Sequence, residues 1–336
     1  MIDPNTAMSA AGEGAKAVSK FEEILQKIYG PKWTRKQADA DAYADARKLQ
    51  TIRDNPDMEI VFANGQMNAR ARPLEELALR AGQRQLAESI RQEENLENVI
   101  EIAENEIQSV EEVSPDSVEE DWITRFFNIV KDVSAEEMQF LWGKILAGEI
   151  AKPNSFSLRT LETIRNISPD EAKLFERLLP FIIWSGQACF IPADIITLTE
   201  FEVPFGIIMQ MDECGLVNSS GQTIIEIKAM QNCDQQPILN SKVELLSVAD
   251  PSVVNFDFNL RVYPLTRAAI ELLDIIDYCP NHEFFLRLAK TIHVEHLSNA
   301  NMTIFPITYG EDSKPFLDTN KPIYTFCKVT HQRSGF

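Results

Sequence analysis

Cysteine is scarce and scattered: Cys189, Cys214, Cys233, Cys279 and Cys327 never form a C-x-x-C pair. That spacing offers no zinc framework, and it suits reduced thiols rather than a disulfide scaffold. Glycine motifs are missing too. With no G-x-G-x-x-G, no G-x-x-x-x-G-K-[ST] and no G-x-S-x-G in the chain, dinucleotide, P-loop and elbow-serine readings have no anchor. No apolar run approaches the roughly eighteen residues that span a bilayer, and no signal peptide is evident. The expected location is the cytoplasm, with peripheral attachment to the inner membrane as the alternative. Basic residues are also in deficit. Lysine and arginine number 32 against 51 aspartates and glutamates, a net charge of -19, and the interval Leu178 to Ile227 contains neither base. Such a surface is poorly suited to nucleic acid, whose phosphates need lysine and arginine.

What the chain has in quantity is helical patterning. The densest stretch runs from Asp121 to Phe175. Trp122, Phe126, Ile129 and Val130 recur at the i, i+4, i+7, i+8 spacing of one helix face, and Met138, Leu141, Trp142 and Ile145 repeat it on the next. Ser134 with Glu137 reads as a capping box, and Ser168-Pro169-Asp170-Glu171 as a second, with proline at the first helical position. Gly148 and Pro153 are expected to stop the second helix, and Leu158, Leu161 and Ile164 mark a third. Trp122, Phe126, Leu141 and Trp142 are the candidate structural core.

The segments DWITRFFN, S-x-E-E-M-Q-x-LWGKILAGE, P-x-SFSLRTLE and SPDEAKLF resemble the bacterial domain of unknown function 2806, and more distantly the abortive-infection alpha proteins. The resemblance is strong over about residues 115–180, extends toward the N-terminus, and fades after about 185. Members often sit among bacterial defence genes, so the resemblance implies a setting in phage defence. It brings no catalytic residues.

Before this core, residues 1–14 read as a tail, and residues 15–29 as an amphipathic helix with Val18, Phe21, Ile24, Leu25 and Ile28 on one face. Lys32, Arg35 and Lys36 follow in the one basic neighbourhood of the chain. An apolar stripe beside lysines packs on a partner chain or its own domain, or lies on a membrane surface. Residues 33–53 favour helix with little to bury, and Ile60 to Phe62 reads as a strand or a hydrophobic staple. Pro73 to Gln108 predicts a long helix with a self-association face, which points to a homo-oligomer. Its acidic far half, Glu93 to Glu106, reads as a solvated face or a docking surface for a basic partner.

After the core, the element order suggests a winged helix. Helices are expected at 170–183, 193–198 and 204–213, strands at 188–191, 223–227 and 259–263, a closing helix through Ile276, and an insertion of low periodicity from Met230 to Asp257. A helix at 284–297 and two strands, 303–308 and 322–329, complete the chain. The expected fold is mainly α with a small β component. Its parts are a helical assembly arm (15–114), a central helical core (115–185), a winged-helix-like α+β domain (186–278) and a C-terminal helix with short strands (279–336).

Phe205, Ile208 and Met209 with Glu202, Asp212 and Glu213 form the candidate partner-binding surface. His293 and His296 lie one turn apart without the H-E-x-x-H spacing, so they read as surface residues and no metal or cofactor is expected. The favoured function is a non-catalytic, oligomeric interaction or sensor protein in anti-phage defence, recognising a phage or defence protein. A membrane-directed effector that uses the N-terminal helix is the alternative, followed by an unrecognised hydrolase.

Overall fold

The computed structural model describes residues 16–27, 60–63, 66–69, 73–110, 112–193, 198–219, 223–230, 235–249, 256–309, 315–317 and 321–327. The helix expected in residues 33–53 lies outside them. The chain divides into two units, Met1–Leu158 and Arg159–Phe336.

The first unit is built on one long helix. Helix α1 covers residues 16–27, a hairpin pairs β1 (Ile60–Ala63) with β2 (Gln66–Ala69), and α2 runs from Pro73 to Ile107 without a break. The apolar patch at Ile60 is thus a strand. Along α2 the far half is buried through Leu96, Val99, Ile100, Ala103 and Ile107, whereas Leu77 in the near half is 54% exposed. Helices α3 (Glu120–Val130) and α4 (Glu136–Ala151) complete the packing. Trp122 stacks on Phe126 at 5.0 Å, and Phe126 meets Trp142 edge-on at 5.5 Å. Leu141, expected in this core, is only half-buried, because α4 turns Trp142, Ile145 and Leu146 inward instead.

Two local expectations fail here for identifiable reasons. Ser134 does not cap α4: the N-cap is Ala135, without a side-chain bond. The Ser134 hydroxyl accepts from Asn95 Nδ2 and Arg91 instead. Gly148 does not end α4, which continues to Ala151 just before Pro153. A polar knot pins α2 to the turn before α4: Gln139 Nε2 donates to Asn95 Oδ1 and to the Val133 carbonyl, and Asn95 Nδ2 donates to the Lys131 carbonyl. With every buried amide matched, this knot fixes the axial register of α2.

The second unit holds far more strand than periodicity predicts. Helix α5 (Leu158–Arg165) leads into α6 (Pro169–Glu176), whose start is the expected capping box of Ser168 and Glu171. The helix expected to reach residue 183 ends at Glu176, a 3-10 turn at Leu179–Phe181 follows, and strand begins at β3 (Ile183–Ser185). Then come β4 (Ala188–Pro192), a 3-10 turn (Leu198–Phe201), α7 (Phe205–Glu213), β5 (Thr223–Lys228), β6 (Gln235–Asn240), β7 (Glu244–Ala249), β8 (Asp257–Pro264), α8 (Arg267–Leu273), α9 (His282–Glu295), β9 (Met302–Tyr309), β10 (Pro315–Leu317) and β11 (Tyr324–Phe326).

Among the described residues, one nine-stranded antiparallel sheet runs β10-β9-β7-β6-β3-β4-β8-β5, with β11 also on β9. The architecture is therefore mixed α+β, with helix the larger part and a sheet more extensive than expected. β6 and β7 occupy the segment expected as an aperiodic insertion. Their alternation is masked because Gln236, Glu244 and Ser247 are buried beside Leu246 and Val248. Phe181, Phe201 and Phe284 cluster with ring centroids 5.1 to 5.7 Å apart. Buried Thr160 donates to Glu271, which also accepts from Arg267, so a partly exposed arginine balances the buried carboxylate.

Candidate functional site

Helix α7 is positioned by a strained corner. Glu202 sits at φ 60°, a left-handed conformation costly for a residue with a Cβ. The Arg177 guanidinium donates to its carbonyl at 2.7 Å and holds the corner in place. Beneath it, Arg287 pairs with Glu200 and Glu283 at 2.7 and 2.8 Å and lies 5.2 Å over the Phe201 ring. Helix α7 ends on Gly215 at φ 73°, where a left-handed residue lets the Leu216 N–H reach the Met211 carbonyl.

Between these ends α7 is divided by face. Ile207, Ile208 and Met211 are buried, while Phe205 is 53% and Met209 41% exposed. Phe205 lies 6.1 Å from the ring of half-buried Tyr263 on β8. Ile224 on β5 is also exposed, on the outward side of the same pair of strands. Around this apolar surface Glu202 and Glu213 are exposed, and Asp212 accepts from Ser219.

Phe205, Met209, Glu202 and Glu213 thus reach the surface. Ile208 does not: it belongs to the core, one turn round from Phe205. Tyr263 and Ile224 were not foreseen as part of it, although the alternation of β5 and β8 carries the signal, since both residues fall on the solvent phase of their strands.

At the C-terminal end of α7 a groove of about 390 Å³ is lined by Arg159, Glu162, Glu171, Glu213 and Cys214, among others. Burial pushes the Cys214 thiol up to about 11, helped by the Glu171 carboxylate that accepts from it. Cys189 is pushed up to about 12 by burial alone. Both thiols stay protonated at neutral pH, so neither is primed as a nucleophile.

The other expected sites are placed differently. Phe21, Ile24 and Leu25 on α1 are buried and Val18 is half-buried. Lys20 donates to the carbonyls of Ser114 and Asp116. Ile28, Lys32, Arg35 and Lys36 lie outside the described residues. His293, expected at the surface, is buried and stacked on Phe326 at 5.4 Å, while His296 stacks on Phe258 at 4.8 Å. His282 pairs through Nδ1 with the carboxylate of buried Glu244. Among the described residues no group of three or more His, Cys, Asp or Glu could hold a metal, and no helix is long and apolar enough to cross a membrane.

No curated protein and no solved structure matches the chain. Residues 79–190, from within α2 nearly to the end of β4, match the model of a family described as Protein of unknown function (DUF2806).

Proposed function

We propose that the second unit is a non-catalytic recognition module whose α7 face, Met209 together with Phe205 beside Tyr263, docks another protein. The observation that carries this reading is the exposure of Phe205 and Met209, 53% and 41%, on a helix whose opposite side already fills the core. Aromatic and methionine side chains left in water at that level are the residues that interfaces use as anchors. A winged-helix arrangement accords with it: α6, β4, α7, β5 and β8 follow in chain order, and the strands lie side by side as β4-β8-β5. In that arrangement α7 holds the recognition position.

Charge selects protein over nucleic acid. No lysine or arginine occurs from Leu178 to Ile227, Glu202 precedes α7, and Asp212 and Glu213 lie in its last turn, so a phosphate backbone meets repulsion. We place this recognition in anti-phage defence, the setting implied by the resemblance to domain of unknown function 2806.

A photo-crosslinking residue at position 205 is expected to capture one discrete protein during phage challenge, and the same residue at exposed Glu120 to capture none. With the crosslinker at 205, Met209→Glu should lose the adduct, and a Phe205→Glu, Met209→Glu variant that folds normally should lose protection. Equal capture at both positions, or full protection by the variant, overturns the reading. So does a salt-sensitive shift of mixed-sequence DNA at low salt that those substitutions abolish.

A further inference from the structure

Strand β5 ends the strand order of the sheet and, among the described residues, ladders with β8 alone. The phase of that ladder is fixed just beyond it, where the Ala229 N–H donates to the Phe256 carbonyl at 2.8 Å. Residues of an antiparallel pair alternate between bonding across and pointing their N–H and C=O away. Ile227, Ile225 and Thr223 therefore bond to β8, and Lys228, Glu226 and Ile224 turn their backbone groups to the open side. Gln236 Nε2 reaches the Lys228 carbonyl at 2.8 Å, which agrees with this phase and closes the edge at that end. The open edge is Ile224 and Glu226.

That edge adjoins the α7 face. Ile224 stands opposite Arg261, so Tyr263 is its diagonal neighbour on the outward side, within reach of long side chains. With Phe205 against Tyr263, an apolar band crosses the sheet from α7 to the open edge. Exposed edges are normally blunted by lysine, proline or a bulge. Here the lysine stands at the end that Gln236 already closes.

We propose that the partner adds an extended, basic segment to β5 as a further strand, bonding the backbone of Ile224 and Glu226 and laying an apolar side chain on Ile224. This rests on the α7 reading and gives it a binding mode. Charge chooses the occupant: a second copy brings the same acidic rim and a net charge of -19, whereas lysines or arginines flanking an apolar residue meet Glu202 and Glu213 favourably, Glu226 being already paired with Lys228 at 2.8 Å.

The probe is a capped peptide of alternating lysine and valine, about seven residues long, the length of an ordinary strand. Saturable binding is expected, with slowed exchange of the Ile224 and Glu226 amides in the full chain. N-methylation of alternate peptide residues should weaken it by about tenfold or more, the loss expected when two or more backbone hydrogen bonds go. Glu226→Pro should do the same, since it removes an outward N–H and spares the ladder to β8.

If the proline variant misfolds, the N-methylated peptide still decides. Failure to bind overturns the proposed occupant. Binding that depends on Phe205 but ignores N-methylation overturns strand addition and leaves the α7 reading standing. Binding sensitive to N-methylation but not to Phe205→Glu keeps strand addition and overturns the α7 reading. Light scattering that shows dimerisation abolished by Glu226→Pro replaces the partner segment with a second copy and overturns the proposal.

Discussion

A hydrogen at Gly143 stands where any other residue would carry a carbon. A Cβ there meets Ile102 Cγ2 at 2.4 Å and Cβ at 2.7 Å, so α4 approaches α2 closer than a methyl allows. Gly143→Ala gains about 1 kcal/mol of helix propensity and loses about 1–3 kcal/mol to overpacking. Because Ile102 Cβ is fixed to the helix, the loss wins. Chemical denaturation should show destabilisation, relieved by adding Ile102→Ala, and simple additivity of the pair would refute the contact. The sequence could not reveal this, since the need for glycine is created by a residue on another helix. Trp122 and Trp142 were legible because bulk at helical spacing is a local signal. Replacing either by alanine should cost about 3–5 kcal/mol; a melting temperature within a couple of degrees of the parent's would place that indole outside the core.

Elements were read well where apolar period marks them and poorly where their ends are set by tertiary partners. Helices α2 and α3 and the start of α6 follow their sequence signals. The start of α4 does not, because Asn95 and Arg91 claim the Ser134 hydroxyl that local pattern assigns to a cap. Strands β6 and β7 were missed because buried Gln236, Glu244 and Ser247 interrupt their alternation. In the candidate site the outward face of α7 was legible as an acidic and apolar helix, but its division into Phe205 outside and Ile208 inside depends on which side meets the sheet.

The motif that carries the family resemblance acts at this scale as a lock on the chain between α4 and α5. Buried Glu149 accepts from the backbone N–H groups of Asn154 and Phe156 at 2.7 and 2.9 Å, and the Trp122 indole donates to the Phe156 carbonyl at 2.7 Å. Glu149→Gln keeps the shape but brings a donor against those donors, with an expected cost of about 1–3 kcal/mol. Faster proteolysis between α4 and α5 checks it, and unchanged cleavage would show that the clamp is dispensable. A second carboxylate, Glu171, is held below its usual range by the backbone and hydroxyl of Ser168. A lowered folded value means its contribution is present above the unfolded pKa and lost as pH falls through the folded one. Glu171→Gln should therefore destabilise at neutral pH and converge with the parent in acid.

For the whole molecule the open question is what covers α2. At 35 residues it is about 50 Å long by the helical rise. Only its far half is sunk in the first unit, while Leu77 and Leu79 are 54% and 37% exposed. A net charge of -19 opposes association in general, yet between Leu77 and Arg91 three arginines face one glutamate, so this stretch meets a second copy without the repulsion felt elsewhere. Buried apolar area then favours pairing at about 25 cal/mol per Å², and two-fold symmetry is the commonest outcome. The expectation is a dimer at tens of micromolar by light scattering. Leu77→Glu with Leu79→Glu should convert it to a monomer whose far-ultraviolet circular dichroism and recognition through Phe205 are unchanged. A parent that scatters as a clean monomer at that concentration removes assembly from the account, and a dimer that survives both substitutions moves the interface off this half of α2.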